Sequence, residues 1–173
     1  AKKLEEGNKL MAAENYTGAL NEFQEAKKLA PKQSAPYIFT GLALISLERY
    51  SDAEANLKKA IEFNPEDPKG YSLLGSTYHK MRKDRQGLTT FGTGLEIEPE
   101  SFEMLNKQGL VYKDREELPR AIDSFNRAVE LKNDYLPARR NLAYALLDDK
   151  RYVAAREEFQ TAAKLAKSDE ERQ

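Results

Sequence analysis

Residues 71–99 read YSLLGSTYHKMRKDRQGLTTFGTGLEIEP, and this stretch recurs in register along the chain. Gly75 has counterparts at steps of 34 residues, in Gly7, Gly41, Gly109 and Ala143. Gly87 stands in the column Ala19, Ala53, Ala121, Ala155, and Gly94 in the column Ala26, Ala60, Ala128, Ala162. Pro99 follows Pro31 and Pro65, with Asn133 and Lys167 in the next two slots. Self-similarity at a fixed period of this size predicts a stacked array, in which each unit touches only its neighbours.

Each unit predicts its own local structure. In the second, apolar and small residues recur at three- and four-residue steps, as in Tyr37, Gly41, Leu44 and in Ala53, Leu57, Ala60, Ile61. That spacing is helical, whereas a strand would alternate. It predicts helices over 35–48 and 52–63, joined by a short polar turn. Pro31, Pro65 and Pro99 fall just past second segments, where a helix must stop. Pro36, Pro68, Pro119 and Pro137 fall near helix starts, where a missing N–H costs little. The small columns let two helices approach. Large residues fill the space beside them: Leu10, Leu44, Tyr78, Tyr112 and Leu146 on first helices, then Phe23, Leu57, Phe91, Phe125 and Phe159 on second helices.

At this point the chain resembles the tetratricopeptide repeat family, whose unit is a 34-residue helix–turn–helix with the pattern W-x2-L-G-x2-Y…A-x3-F…P. The third unit carries Tyr71 in the Trp slot, then Leu74, Gly75, Tyr78, Gly87, Phe91 and Pro99. The fourth carries Leu105, Gln108, Gly109, Tyr112, Ala121 and Phe125, with Asn133 for proline. The first and fifth are loosest, with Lys3 and Arg139 in the Trp slot and Glu6 in the Leu slot. The resemblance implies an all-α fold, a right-handed α-solenoid of five repeats forming one domain. The repeats are expected at about 1–33, 34–67, 68–101, 102–135 and 136–169, with a short tail at 170–173. Such a scaffold is shared by many functions and fixes none of them.

Composition restricts function by exclusion. Net charge is −1, from 28 basic and 29 acidic residues. By repeat it runs +1, −3, +1, −1 and, with the tail, +1, so no repeat has the footprint of a nucleic-acid binder. Cysteine is absent, which removes disulfides and thiol chemistry. No apolar run reaches the length of a membrane span and no signal-peptide pattern is present. A soluble, cytoplasmic location is favoured on this reading. The chain opens at Ala1, already inside a repeat, and reads as an excised or processed segment of a longer protein.

Catalytic constellations are scarce. His79 is the single histidine, and no carboxylate lies three or four residues from it, so it reads as a surface residue. No phosphate-loop glycine pattern and no metal-ligand cluster is visible, so no cofactor is expected. Tyr16, Tyr50 and Tyr152 share one slot, read as the turn between helices, where they serve packing.

Function is therefore expected from a surface. The resemblance implies that first helices line a concave groove holding a peptide segment of a protein partner. The groove set it implies is Asn8, Met11, Ile38, Leu42, Ile45, Lys69, Ser72, Ser76, His79, Asn106, Leu110, Lys113, Arg140, Tyr144 and Leu147, with Leu4 and Pro137 beside it. The second repeat's first helix is apolar on every face, which calls for cover on every face. A partner segment, the curl of the array or preceding sequence could supply it. The later repeats, with Lys69, His79, Lys113 and Arg140, suit a polar or acidic stretch of ligand. Family members that clamp a chaperone's terminal carboxylate need a set of Lys, Asn and Arg. Here the equivalent positions hold Leu4, Asn8, Phe39, Lys69 and Leu73, so only Asn8 and Lys69 match. Asparagines are scattered, at Asn8, Asn106 and Asn141, and form no ladder.

The reading is a non-enzymatic protein-interaction scaffold. Self-association through array ends, or service as the regulatory or substrate-recruiting arm of a larger enzyme, are the alternatives. A soft point is expected near 85–97, where Gly87, Gly92 and Gly94 interrupt a helix. Alanine is expected to fit at all three, raising stability by about 1–3 kcal/mol in total.

Overall fold

The five in-register units become five helix pairs. A computed structural model describes residues 2–170, except for the side chains of 168–170. The pairs are α1 (Lys2–Ala12) with α2 (Tyr16–Leu29), α3 (Ser34–Ser46) with α4 (Tyr50–Phe63), and α5 (Pro68–Lys80) with α6 (Asp84–Ile97). Then follow α7 (Phe102–Asp114) with α8 (Leu118–Leu131), and α9 (Leu136–Asp148) with α10 (Tyr152–Glu170). The short tail expected at 170–173 lies, past Glu170, outside the described residues. Among the described residues there is no strand, and no helix is long and apolar enough to cross a membrane.

One device closes every pair. The residues Glu14, Glu48, Arg82, Glu116 and Lys150 share a column, and all five have φ between 57° and 61°. Each donates its N–H to the carbonyl three residues back, and the next residue donates to the carbonyl five back. Glu48 N to Ile45 O is 3.0 Å and Arg49 N to Leu44 O is 2.8 Å. This is the Schellman arrangement, which satisfies carbonyls a helix end leaves open. Its left-handed residue is glycine in many proteins; here it never is, so the turn left no glycine signal in the sequence. The joint is so short that Tyr16, Tyr50 and Tyr152 are the first residues of second helices. Their assignment to the turn is corrected accordingly. Between pairs the chain stops as the prolines predict. Ala30 N still bonds Ala26 O, and Pro31 then prevents another turn.

The chain forms two compact units, residues 2–97 with α1–α6 and residues 98–170 with α7–α10. The core of the first includes Ala19, Leu20, Phe23, Leu44, Leu57 and Tyr78. That of the second includes Ile122, Phe125, Leu142 and Leu146. Within a pair, the glycine of the first helix meets the large residue of the second. A Cβ on Gly75 would stand 2.7 Å from Phe91 Cε1, and one on Gly41 would stand 2.7 Å from Leu57 Cγ. Phe91 and Leu57 are fully buried, so neither can retreat into solvent. The column is small because a ring or branched side chain lies flat on the helix backbone there.

Two expectations change. A Cβ on Gly87 would come 3.1 Å from the backbone oxygen of Gly75. Without a methyl at 87, α6 sits against the backbone of α5, so alanine does not enter freely. At Gly92 nothing lies within 4 Å, and alanine fits there as expected. The all-round apolar helix α3 is covered by its own neighbours. It packs on α1, α2, α4 and α5, and its large apolar residues are all buried or half-buried.

The weak Trp slots have a different filling. Lys3 Nζ bonds Glu22 Oε2 at 2.7 Å in the first pair, and Arg139 Nη1 bonds Glu158 Oε2 at 2.8 Å in the fifth. These ion pairs occupy equivalent positions. Arg139 Nε also donates to Asn133 O at 2.6 Å, as Tyr37 Oη donates to Pro31 O at 2.9 Å in the second pair. One guanidinium thus replaces both the packing and the hydroxyl bond of an aromatic residue.

Candidate peptide-binding surface

First helices carry the residues assigned to the groove, and each unit presents its own share. In residues 2–97, Asn8 and Lys69 are exposed, while Met11, Leu42, Ile45, Ser72, Ser76 and His79 are half-buried. Ile38 is only 3% exposed and belongs to the interior. Met11 and Ile45 pack on the core. Lys69 Nζ lies 5.0 Å from the centre of the Phe39 ring, a cation–π contact that ties down part of the charge expected for a ligand. Ser76 Oγ donates to Ser72 O at 2.9 Å, back-bonding along its own helix.

His79 departs from the surface reading. It is half-buried, and its Nδ1 lies 2.9 Å from Asp84 Oδ1. No carboxylate stands one helical turn away. The short joint instead folds the first residue of α6 back onto the end of α5. The contact crosses a turn whose geometry the helical spacing did not encode.

The second unit presents a formed cleft. Leu136, Pro137, Arg140, Asn141 and Tyr144 of α9 enclose a volume of about 260 Å³. Arg140 and Tyr144, both in the groove set, therefore come together. Tyr144 is 45% exposed and stands edge-on to Phe159, with ring centres 5.0 Å apart. Asn106 is buried, and accepts a bond from Asn141 Nδ2 at 2.8 Å. Asn106 thus holds Asn141 in place and does not itself face the cleft. Lys113 pairs with Asp148 at 3.4 Å, Leu110 packs on the core, and Leu147 is 41% exposed.

Asn141 is the polar cleft residue that the sequence reading left out of the site. A signal existed. Asn106–Asn141 and Lys113–Asp148 both span 35 residues, one more than the repeat. Residues on successive first helices meet along a diagonal, so the partner of a groove residue sits one place beyond its own column.

The chain can now be placed among known proteins. Residues 41–81 match a family model described as "TPR repeat", and residues 106–170 match one described as "Tetratricopeptide repeat". The chain belongs to the tetratricopeptide repeat family. It is 33% identical over 93 residues to the Hsp70-Hsp90 organizing protein of Triticum aestivum, covering 54% of this chain and 16% of that protein. The chain thus spans about a sixth of that curated relative. Among solved structures, TTC0263, a thermophilic TPR protein of Thermus thermophilus, has a TM-score of 0.82 at 23% identity, over 98% of this chain and 93% of that one. YrrB, described as a TPR protein with an unusual peptide-binding site, has a TM-score of 0.70 at 18% identity, over 94% and 84%. These likenesses establish the fold.

Proposed function

We propose that the chain is a non-enzymatic protein-interaction module, and that the α9 cleft anchors a peptide segment of its partner. The observation that carries this reading is the grouping of Arg140, Asn141 and Tyr144 around one open volume. Their chemistry is that of binding. An exposed guanidinium takes a carboxylate in a forked pair. A carboxamide held by Asn106 can still offer an acceptor and a donor to a peptide group. A half-exposed phenol ring gives an apolar wall with a polar tip. The ligand this favours is an extended segment with an acidic residue beside an apolar one.

The peptide-binding site named for YrrB and the partner proteins named for the Triticum aestivum relative agree with a module of this kind. A chaperone-tail clamp is not favoured, because Asn8 and Lys69 alone match it and Lys69 already lies on Phe39. Selection from a display library of short random peptides tests the reading. Acidic–apolar peptides should be enriched and should lose about tenfold or more in affinity on Arg140→Glu or Tyr144→Ala. Arg140 is exposed, so its variant should keep the helical melt, whereas Tyr144→Ala also gives up the edge-on contact with Phe159 and should melt slightly lower. Retained peptides that bind both variants as tightly as the parent would place the site elsewhere.

A further inference from the structure

The face formed by the end of α9 and by α10 is uncovered by any described residue. Leu147, Tyr152, Ala155, Arg156, Phe159 and Gln160 border a cleft of about 390 Å³, and Ala163 completes it. Tyr152 is 62% exposed, whereas Tyr16 and Tyr50 of its column are half-buried. Phe159 is only half-buried, although Phe23, Leu57, Phe91 and Phe125 of its column are fully buried.

The molecule shows what such a face accepts. At the equivalent place α3 packs on α2, α5 on α4, and α9 on α8. Each docked helix buries two compact residues seven apart: Pro36 and Ala43, Gly70 and Thr77, Ala138 and Ala145. Gly70 marks the contact directly, since a Cβ there would stand 2.9 Å from Ile61 Cγ1 of α4. Just past α5 a charge reaches back, where the other two docked sites have Leu20 and Ile122 in that column. Lys83 Nζ bonds Glu54 Oε2 at 3.1 Å, and Tyr78 Oη bonds Glu54 Oε1 at 3.3 Å. Three repeats on, the column of Glu54 holds Arg156, which is exposed. The sign at this position is therefore reversed.

The chain's own first helix does not suit this face. Its two compact positions hold Lys2 and Lys9, both exposed, with Lys9 paired to Glu5 at 2.8 Å. Docking α1 of a second copy would bury two ammonium groups against apolar side chains. We propose that the α9–α10 end face docks a partner's amphipathic helix that carries two compact residues seven apart and a carboxylate just past its C-terminal end, where it meets Arg156. This surface is independent of the α9 cleft reading, and Arg156 and Ala163 are not among the residues lining that cleft.

The probe is a synthetic peptide of residues 67–83 of this chain, which is α5 with its capping Asp67, made with Lys83→Glu. The unchanged peptide is the control. In the full chain the site of α5 on α4 is already filled, so the peptide cannot return to it. Fluorescence anisotropy should show the Lys83→Glu peptide binding about tenfold tighter than the control at low salt. Arg156→Glu should reverse that preference, and Ala163→Asp, at an exposed cleft residue in the column of Ile61, should abolish binding of both peptides while circular dichroism stays unchanged. Equal affinity of the two peptides, or binding by neither, overturns the proposal. So does a concentration-dependent dimer of the chain alone that Ala163→Asp dissolves, since the occupant would then be a second copy. Loss of peptide selection in Arg140→Glu leaves these readouts unaffected, so the two readings fail separately.

Discussion

Gly75, Gly87 and Gly92 lie within 18 residues of one another and face three different surroundings. At Gly75 the neighbour is the buried Phe91 ring, at Gly87 it is backbone, and at Gly92 it is open space. Their substitutions should separate accordingly. Gly92→Ala should stabilise by about 0.8–1.0 kcal/mol, the helix-propensity difference. Gly75→Leu should destabilise by about 1–3 kcal/mol or more through overpacking. Gly87→Ala should gain less than Gly92→Ala, because α6 must move away from the Gly75 carbonyl. Denaturant melts of the three variants check this order. A second residue-scale prediction concerns Glu54. The hydrogen bond from Lys58, joined by that from Lys83, holds its carboxyl below the usual carboxylate range. A carboxyl whose folded pKa is depressed contributes stability that is present above its unfolded pKa, near 4.5. That contribution is lost as pH falls through the folded value. Glu54→Gln should therefore destabilise at neutral pH and match the parent well below that range, as urea melts across pH would show. An equal deficit at all pH values would mean that packing, and not charge, is what the substitution removes.

At the scale of the element, the pairs are built alike and joined unlike. Tyr37 ties the second pair's first helix to the preceding linker at Pro31 O, and Arg139 does the same in the fifth pair at Asn133 O while also bonding Glu158 of the second helix. Arg139 retains only 15% side-chain exposure, so its bonds are partly shielded from water. Arg139→Ala should cost about 1–3 kcal/mol, in the range of hydrogen bonds to charged groups. Arg139→Lys should recover only part of it, because an ammonium cannot reach Glu158 and Asn133 from one planar fork. Thermal melts of the two variants distinguish a bonded guanidinium from a side chain that only fills space. The left-handed joint residues are the other element-scale feature. Glu14, Glu48, Arg82, Glu116 and Lys150 hold a conformation that costs a non-glycine residue free energy, and the two Schellman bonds at each turn offset it.

The whole molecule carries two interiors, one centred on Phe23, Leu57 and Tyr78, the other on Phe125, Leu142 and Leu146. The first comprises three complete helix pairs, the number at which repeat arrays sustain themselves. Residues 1–97 expressed alone should therefore melt cooperatively and keep the helicity of their share of the full chain. A broad, noncooperative melt of that fragment would show that its core does not suffice. Surface chemistry is also divided. The large apolar residues that remain open lie mostly in α9 and α10, at Tyr144, Leu147, Tyr152 and Val153. The apolar first helix of the second repeat, by contrast, is spent on packing.

The sequence by itself determined the repeat, its period, the helix pairs and the stops between them. These follow from local rules: helical spacing, proline at helix ends, and small residues where backbones meet. It also placed Arg140 and Tyr144 on one helix face. Three things waited for the tertiary structure. The His79–Asp84 contact needed a turn whose left-handed residue left no glycine to read. The Asn106–Asn141 bond needed the diagonal by which neighbouring first helices meet, one residue off the repeat. The burial of Ile38 and the exposure of Tyr152 needed to be known from which neighbours cover each helix. A side chain's hydropathy says what it prefers, but its exposure is decided by elements that lie far away in the sequence.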